Sequence, residues 1–576
     1  MTGGNEQQNP EAPNRKGVVA TVQKSGTPEK SSAPPPVAAP SRGAHAGRAG
    51  PGVRVPARRL LAAGAAVLAV ALLFVAYLQV SRTYPENSDE SNDLLMAWDM
   101  LHGNVLLHGW SLSDVSFITT ELPQYALLVL LFGLHADTAH LAAAMTYTLV
   151  VVLAVLLARG TAPRREAAPR MLLTAFGMFA PQLGVGVFVL LLSLGHIGTA
   201  VPLLLIWLVI DRCPVRGYVP VIVGLLLTWV LVADPLVLLV GVVPLVAVCA
   251  LRVARALARR GDDPVRAVLR ARWYELSLAA AAIAAQGLAS AAGRLLQASG
   301  AFFLHPVPYQ LAPAHTWAKH AWVTGQGLLA LFGAKPEGPA AAMAFAVLHL
   351  AGVALVAWAM VRVARHFLSW PDMISQILLV AMVVNVVAYV PSTLANATDL
   401  NAREFAIALP YGAVLAGRTL AAGLLGRQRP AVAAGAAGAL LAVYAASLGW
   451  AAAQPSVPPM NARLATFLEA HRLTSGIGGY WESSVVTVGS DGAVTIRAVL
   501  PGTLQPDLWE AKGSWYDPRS HRANFLVTSS TPGFFNYWQP SPAALAALGR
   551  PVRTYRVGPY TVYVYDKNLL AELPHG

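Results

Sequence analysis

The feature that most limits this chain is a series of apolar runs of about 20 residues, beginning at 60–80. A run of that length crosses bilayer hydrocarbon as a helix, because a helix satisfies its own backbone polar groups. Of 576 residues, 55% are hydrophobic and 12% are charged, so the sequence reads as a polytopic α-helical membrane protein.

The charges between the runs orient it. Arg58 and Arg59 precede the first run. Arg159, Arg164, Arg165 and Arg170 follow the second, and Arg252, Arg255, Arg259, Arg260, Arg266, Arg270 and Arg272 form the densest cluster. Basic loops stay in the cytoplasm. The N-terminus is therefore expected inside, with spans near 60–80, 137–157, 171–193, 197–210, 218–232, 235–251, 274–293, 339–361, 372–391, 404–424 and 430–450. That makes about eleven crossings and leaves the C-terminus outside. The pieces 123–134 and 322–334 are too short to cross and read as interfacial or re-entrant. The net charge of +13 follows from loop arginines, without a nucleic-acid partner. Two cysteines, Cys213 and Cys249, make no disulfide framework.

Residues 1–58, rich in Pro, Ala, Gly and Ser, read as a disordered cytoplasmic tail, with the first helix as an uncleaved anchor. Residues 59–450 form the transmembrane domain, 81–136 its acidic first outer loop, and 451–576 an extracytoplasmic soluble domain of α/β or β-rich type. In that domain 485–488 and 494–499 read as strands around the turn 489–492. Residues 524–528 read as another strand, and 554–557 with 560–565 as a hairpin.

The first outer loop concentrates acid: Glu86, Asp89, Glu90, Asp93 and Asp99. Asn87 followed by Glu90 fits a helix N-cap with its reciprocal partner. Leu94, Leu95, Trp98 and Leu101 then keep one apolar face, and Gly103-Asn104 ends the run. The expectation is a short helix on the membrane surface, with Asp89 and Glu90 in its first turn, where the helix dipole favours ionised carboxylates. A carboxylate there can take a proton from a hydroxyl nucleophile. The plainer alternative is that such acids only stabilise the turn.

Asp89-Glu90 after the first span, the following Leu-Leu-Met-Ala-Trp-Asp-Met-Leu-His-Gly-Asn, and 131–141 resemble the first-loop region of GT-C-type glycosyltransferases. The subgroup they resemble is that of the protein O-mannosyltransferases and lipid A aminoarabinose transferases. The resemblance implies that Asp89 is the catalytic carboxylate, with Glu90 beside it. It also implies a polyprenyl-phosphate sugar donor, and transfer to a protein, glycan or lipid hydroxyl on the outer face. Where the family often has two prolines, this chain has one, Pro123.

A leaving phosphate near lipid needs a cation. Arg403 resembles the late-span arginine of the family and is the first choice, with pairing to Glu404 or Asp399, or simple snorkelling, as its alternative; Arg294, Lys319 and His320 follow. Asp89, Glu90 and Asp93 are the residues that would hold a hard divalent metal, if one is used. His196 reads as a structural turn residue and Asp234 as a helix end. Tyr480, Trp481, Trp509, Trp515 and Tyr516 read first as domain core, with sugar stacking as the alternative. No soluble domain on the cytoplasmic side is large enough for a nucleotide-sugar donor. Two competing readings are a transporter or flippase, which calls for charges at mid-membrane, and a non-catalytic scaffold.

Overall fold

The computed structural model describes residues 57–179, 183–192, 195–306, 310–395, 399–425, 430–530 and 537–574. Two compact units divide the chain, Met1–Leu61 and Ala62–Gly576. The tail read over 1–58 lies, up to residue 56, outside the described residues. The second unit carries the bundle, its outer loops and the C-terminal sheet.

The helices in chain order begin with α1 (Ala57–Ser81), α2 (Ser88–Leu101), α3 (Glu121–Phe132), α4 (Ala136–Arg159), α5 (Arg164–Met178) and α6 (Val185–Leu191). There follow α7 (Ala200–Arg212), α8 (Tyr218–Ala233), α9 (Val243–Ala258), α10 (Val265–Ala271), α11 (Trp273–Ala298) and α12 (Trp317–Leu331). Next come α13 (Ala340–Arg365), α14 (Met373–Tyr389), α15 (Ala408–Leu425) and α16 (Pro430–Ala452). Among the described residues, five helices are long and apolar enough to cross a membrane unaided: Leu60–Ser81, Ala136–Arg159, Leu238–Ala258, Trp273–Ala298 and Ala340–Arg365. The chain is a polytopic helical membrane protein. The stretch read as one span over 171–193 instead holds two helices, α5 and α6. Gly184, at φ +83°, precedes α6 in a conformation that interrupts a right-handed helix.

Lipid replaces water around such a bundle, so apolar residues lie on both its faces. On α1, Leu61, Val67, Leu68 and Leu72 are exposed, whereas Tyr77, Val80 and Ser81 are fully buried. Tyr77 meets Tyr147 edge-on with centroids 4.8 Å apart. Small residues bring helices close. A Cβ at Gly417 of α15 would lie 2.7 Å from the Arg170 carbonyl oxygen of α5, too close for any side chain. At the end of the bundle carrying the arginine loops, Arg418 is 6% exposed and bonds Asp211 and Asp372, each at 2.8 Å. Cys213 and Cys249 are free thiols.

The C-terminal region is β-rich. Its strands are β3 (Ser475–Gly478), β4 (Thr495–Ala498), β6 (Phe525–Ser530), β7 (Tyr537–Trp538), β8 (Arg553–Val557) and β9 (Tyr560–Val564), after β1 (Trp110–Leu112) and β2 (Phe303–Leu304) and with β5 (Ala511–Lys512) between. The large sheet runs β4-β3-β6-β9-β8, with β7 on β6. β3 is parallel to β4 and to β6, while β9 is antiparallel to β6 and β8. The expected hairpin and the 524–528 strand are present. The strand read over 485–488 is instead a helix turn, α18 (Ser484–Gly489), after α17 (Ala462–Ala470). Every residue from Ser484 to Val488 is buried, so the valines do not alternate between two faces as a half-buried strand would require.

A second, three-stranded sheet, β2-β1-β5, joins the first outer loop to the C-terminal region. Asp99 reinforces it. Its carboxylate accepts from Trp110 Nε1 at 2.8 Å and Asn104 Nδ2 at 2.6 Å, and pairs with Lys512 Nζ at 3.0 Å.

Candidate active site

The capping box expected at the start of α2 is formed. Asn87 accepts from the Asp89 N–H at 2.8 Å, and Glu90 Oε2 accepts from the Asn87 N–H at 2.9 Å. The helix buries polar as well as apolar groups. Its first turns bury Ser88, Glu90, Ser91, Asn92 and Asp93, while Trp98 and Leu101 are exposed. Leu94 and Ala97 do enter a core, against Tyr125, Leu128, Val129 and Ala142. Polar groups can be buried here because the C-terminal region bonds them. Ser88 Oγ donates to the Tyr480 carbonyl at 2.6 Å, and Ser484 Oγ donates to Asn92 Oδ1.

Asp89 projects from this first turn into an open cleft. The cleft is lined by Asp89, Asp93, Asp114, Glu404 and Glu510, with Arg403, His196 and Trp509, over a floor that includes Met96 and Phe117. Arg403, in the 3-10 turn Asp399–Phe405, places Nη1 3.7 Å from Asp89 Oδ2 and Nε 3.7 Å from Glu404 Oε1. Neither contact is a tight hydrogen bond, so the guanidinium keeps donor capacity towards the cleft.

Behind Arg403 the charges continue to alternate. His196 Nε2 lies 3.2 Å from Glu404 Oε2, and its Nδ1 lies 2.8 Å from Asp234 Oδ2. Asp234 also accepts from the Thr199 hydroxyl at 2.5 Å and the Leu236 N–H at 2.8 Å. Burial alone would lower the His196 pKa, but the Asp234 and Glu404 carboxylates outweigh it and hold the ring well above its ordinary value. An imidazolium has an N–H on each nitrogen, as two flanking carboxylates require. His196 and Asp234, read from sequence as turn and helix-end residues, thus form a buried ion pair behind Arg403. Two carboxylates and a histidine far apart in sequence give no local spacing by which this could be found.

The opposite wall comes from the C-terminal region. The Tyr480 hydroxyl oxygen lies 2.7 Å from Asp89 Oδ1 and 2.7 Å from Glu510 Oε2, and Asn92 Nδ2 donates to it at 3.1 Å. Burial, then the charge of Asp89, pushes the Glu510 carboxyl up to about 7. Burial, then Glu510, Glu90 and Asp89, raises Asp93 well above the usual carboxylate range. Of the aromatic residues, Trp509 lines the cleft and Tyr480 touches Asp89. Tyr516 is buried and donates to the Ala498 carbonyl at 2.6 Å, and Trp515 packs edge-on against Trp110. Sequence reasoning gave Glu510 no role, since a lone glutamate in a small domain carries no signal.

The other residues singled out from sequence lie elsewhere. Glu90 is fully buried in its capping box and does not line the cleft; burial, then Asp89, pushes its carboxyl up to about 8. Among the described residues, no group of three His, Cys, Asp or Glu side chains is placed to hold a metal. Arg294 on α11 and Lys319 on α12 are exposed and outside the cleft lining. His320 is buried, with Nδ1 3.0 Å from the Val390 carbonyl, and is also outside it.

No protein-family model matches the sequence, and no curated protein matches it. Solved structures do. The chain is similar to ArnT from Cupriavidus metallidurans in the apo state, with TM-score 0.51 and 14% identity over 90% of this chain and 100% of that one. The same protein bound to undecaprenyl phosphate gives TM-score 0.49 and 13% identity, over 87% and 98%. The Archaeoglobus fulgidus oligosaccharyltransferase tethered to an acceptor peptide gives 0.45 and 12%, over 80% and 69%. At these identities the likeness is one of fold, that of a polytopic helical membrane protein with a C-terminal β-rich region.

Proposed function

We propose that the protein is a membrane glycosyltransferase that moves a sugar from a polyprenyl-phosphate donor to an acceptor hydroxyl at the outer face of the cytoplasmic membrane. The observation that carries this reading is the juxtaposition of Asp89 and Arg403, 3.7 Å apart in one cleft. Asp89 takes the proton of the acceptor hydroxyl as the new bond to the sugar C1 forms. The bond from C1 to the phosphate oxygen breaks, and the phosphate leaves with the electron pair. Arg403 receives the added negative charge, since a guanidinium matches phosphate oxygens in a forked geometry. Of the four residues first considered for the donor phosphate, Arg403 is the one that lines the cleft, and it is kept as that contact. Glu90 serves to hold the turn that carries Asp89. On the orientation set by the arginine loops, the N-terminus is cytoplasmic, and the cleft and C-terminal region are extracytoplasmic.

The test is transfer of radiolabelled sugar from a panel of polyprenyl-phosphate donors to membrane acceptors, by purified wild type and Asp89→Asn. Loss of a general base lowers the rate about 10²- to 10⁴-fold. Equal transfer by both would remove Asp89 from the centre of the reaction. No transfer by the wild type from any donor would favour the transporter or scaffold.

A further inference from the structure

The contacts of Tyr480 pose a counting problem. A phenol has one proton to donate and two lone pairs to accept with. Asn92 Nδ2 takes one lone pair at 3.1 Å, yet two carboxyl groups lie 2.7 Å from the same oxygen. The phenol proton can serve one of them. The other contact holds together only if its carboxyl group carries a proton and donates.

We infer that Glu510 is held as the neutral acid, donating to the Tyr480 oxygen so that the phenol proton is committed to Asp89 Oδ1. This rests on the reading of Asp89 as the base. The assignment of the proton follows from the surroundings. Asp89 has Arg403 at 3.7 Å and stands in the first turn of a helix, where the dipole favours the anion. Among the described residues, no ion pair reaches Glu510. The charged and titratable groups around it are Asp89, Glu90 and Asp93 of α2, Asp114 after β1, Tyr480, and Arg403 and His196 across the cleft. Lys512, two residues after it, is engaged by Asp99. Acid outnumbers base, and this favours protonation of the carboxyl that lacks a cation. Its raised affinity for protons is in accord.

The consequence is positional. With Oδ1 occupied by Tyr480, Asp89 presents Oδ2 to Arg403 and to the incoming hydroxyl. Tyr480 and Glu510 are positioning residues, and the C-terminal region supplies half of the site that α2 begins. Above the pKa of Glu510 its donor is lost, the phenol is contested between two anions, and Asp89 is less well fixed. The alkaline limb of the rate profile then belongs to Glu510.

The experiment compares kcat against pH for wild type, Glu510→Gln, Glu510→Ala and Tyr480→Phe, each checked for unaltered thermal unfolding. The glutamine amide donates to Tyr480 as the acid did, so Glu510→Gln keeps near-wild-type kcat and loses the alkaline limb. Tyr480→Phe and Glu510→Ala lower kcat roughly 10- to 100-fold, the loss of one hydrogen bond to a charged group. An unchanged alkaline limb in Glu510→Gln, or a kcat as low as that of Glu510→Ala, would overturn the assignment. A second readout needs no transfer at all: the infrared difference between wild type and Glu510→Gln, in which the bands of other protonated carboxyls such as Glu90 cancel and one carbonyl band titrating near neutrality remains. Its absence from that difference refutes the protonated Glu510. Its presence in a wild type that transfers nothing upholds the proton placement and sinks the transferase reading instead.

Discussion

Replacement of His196 by alanine tests the ion pair behind Arg403. The imidazolium lies 2.8 Å from Asp234, which is fully buried, and 3.2 Å from Glu404, whose side chain is 20% exposed. Removing one member of a buried pair leaves an uncompensated charge and costs about 3–5 kcal/mol. Asp234 keeps its bonds from Thr199 and Leu236, which places the expectation near the lower end, about 3 kcal/mol. The sign of the pH dependence follows from the direction of the shift. The His196 pKa is raised on folding, so its contribution is complete below the ordinary histidine value and fades as pH rises through the folded value. Thermal unfolding of wild type and His196→Ala in detergent, from about pH 6 to pH 9, should therefore give a gap that is full at the acid end and narrows at the alkaline end. A gap that is small at the acid end and grows with pH would show a neutral ring, and refute the ion-pair reading. Unaltered unfolding at every pH would refute the burial cost itself.

Two further outcomes are expected. Asp99→Ala leaves the buried Trp110 indole N–H without its acceptor, at about 1–3 kcal/mol, while the loss of the partly exposed Lys512 pair adds under about 1 kcal/mol. Denaturant unfolding of Asp99→Ala and Lys512→Ala should rank them in that order, and equal losses would contradict it. Arg403→Ala should raise the donor KM and lower kcat, with Arg294→Ala and Lys319→Ala unchanged in both. An effect of Arg294→Ala equal to that of Arg403→Ala would move the phosphate contact out of the acidic cleft.

What the sequence determined by itself is what depends on local periodicity and on solvent. Apolar runs of bilayer length dictate helices, because no other single segment satisfies its backbone in hydrocarbon. Asn87 and Glu90 dictate where α2 begins, because a capping box closes within four residues. The hairpin of β8 and β9 is likewise local, turning at Gly558 with φ +58°. Tertiary structure decided the rest. Whether Val485–Val488 became strand or helix turned on burial of the whole run beside α2. That α2 buries Ser88 and Asn92 as well as Leu94 turned on Tyr480 and Ser484, which bond it from about 390 positions away. The cleft itself gathers Asp89, His196, Arg403 and Glu510 from four distant parts of the chain. A carboxylate's affinity for protons is set by the charges and burial around it in space. Spacing and resemblance could thus nominate Asp89 and Arg403, but could not place Tyr480, Glu510 or the His196–Asp234 pair beside them.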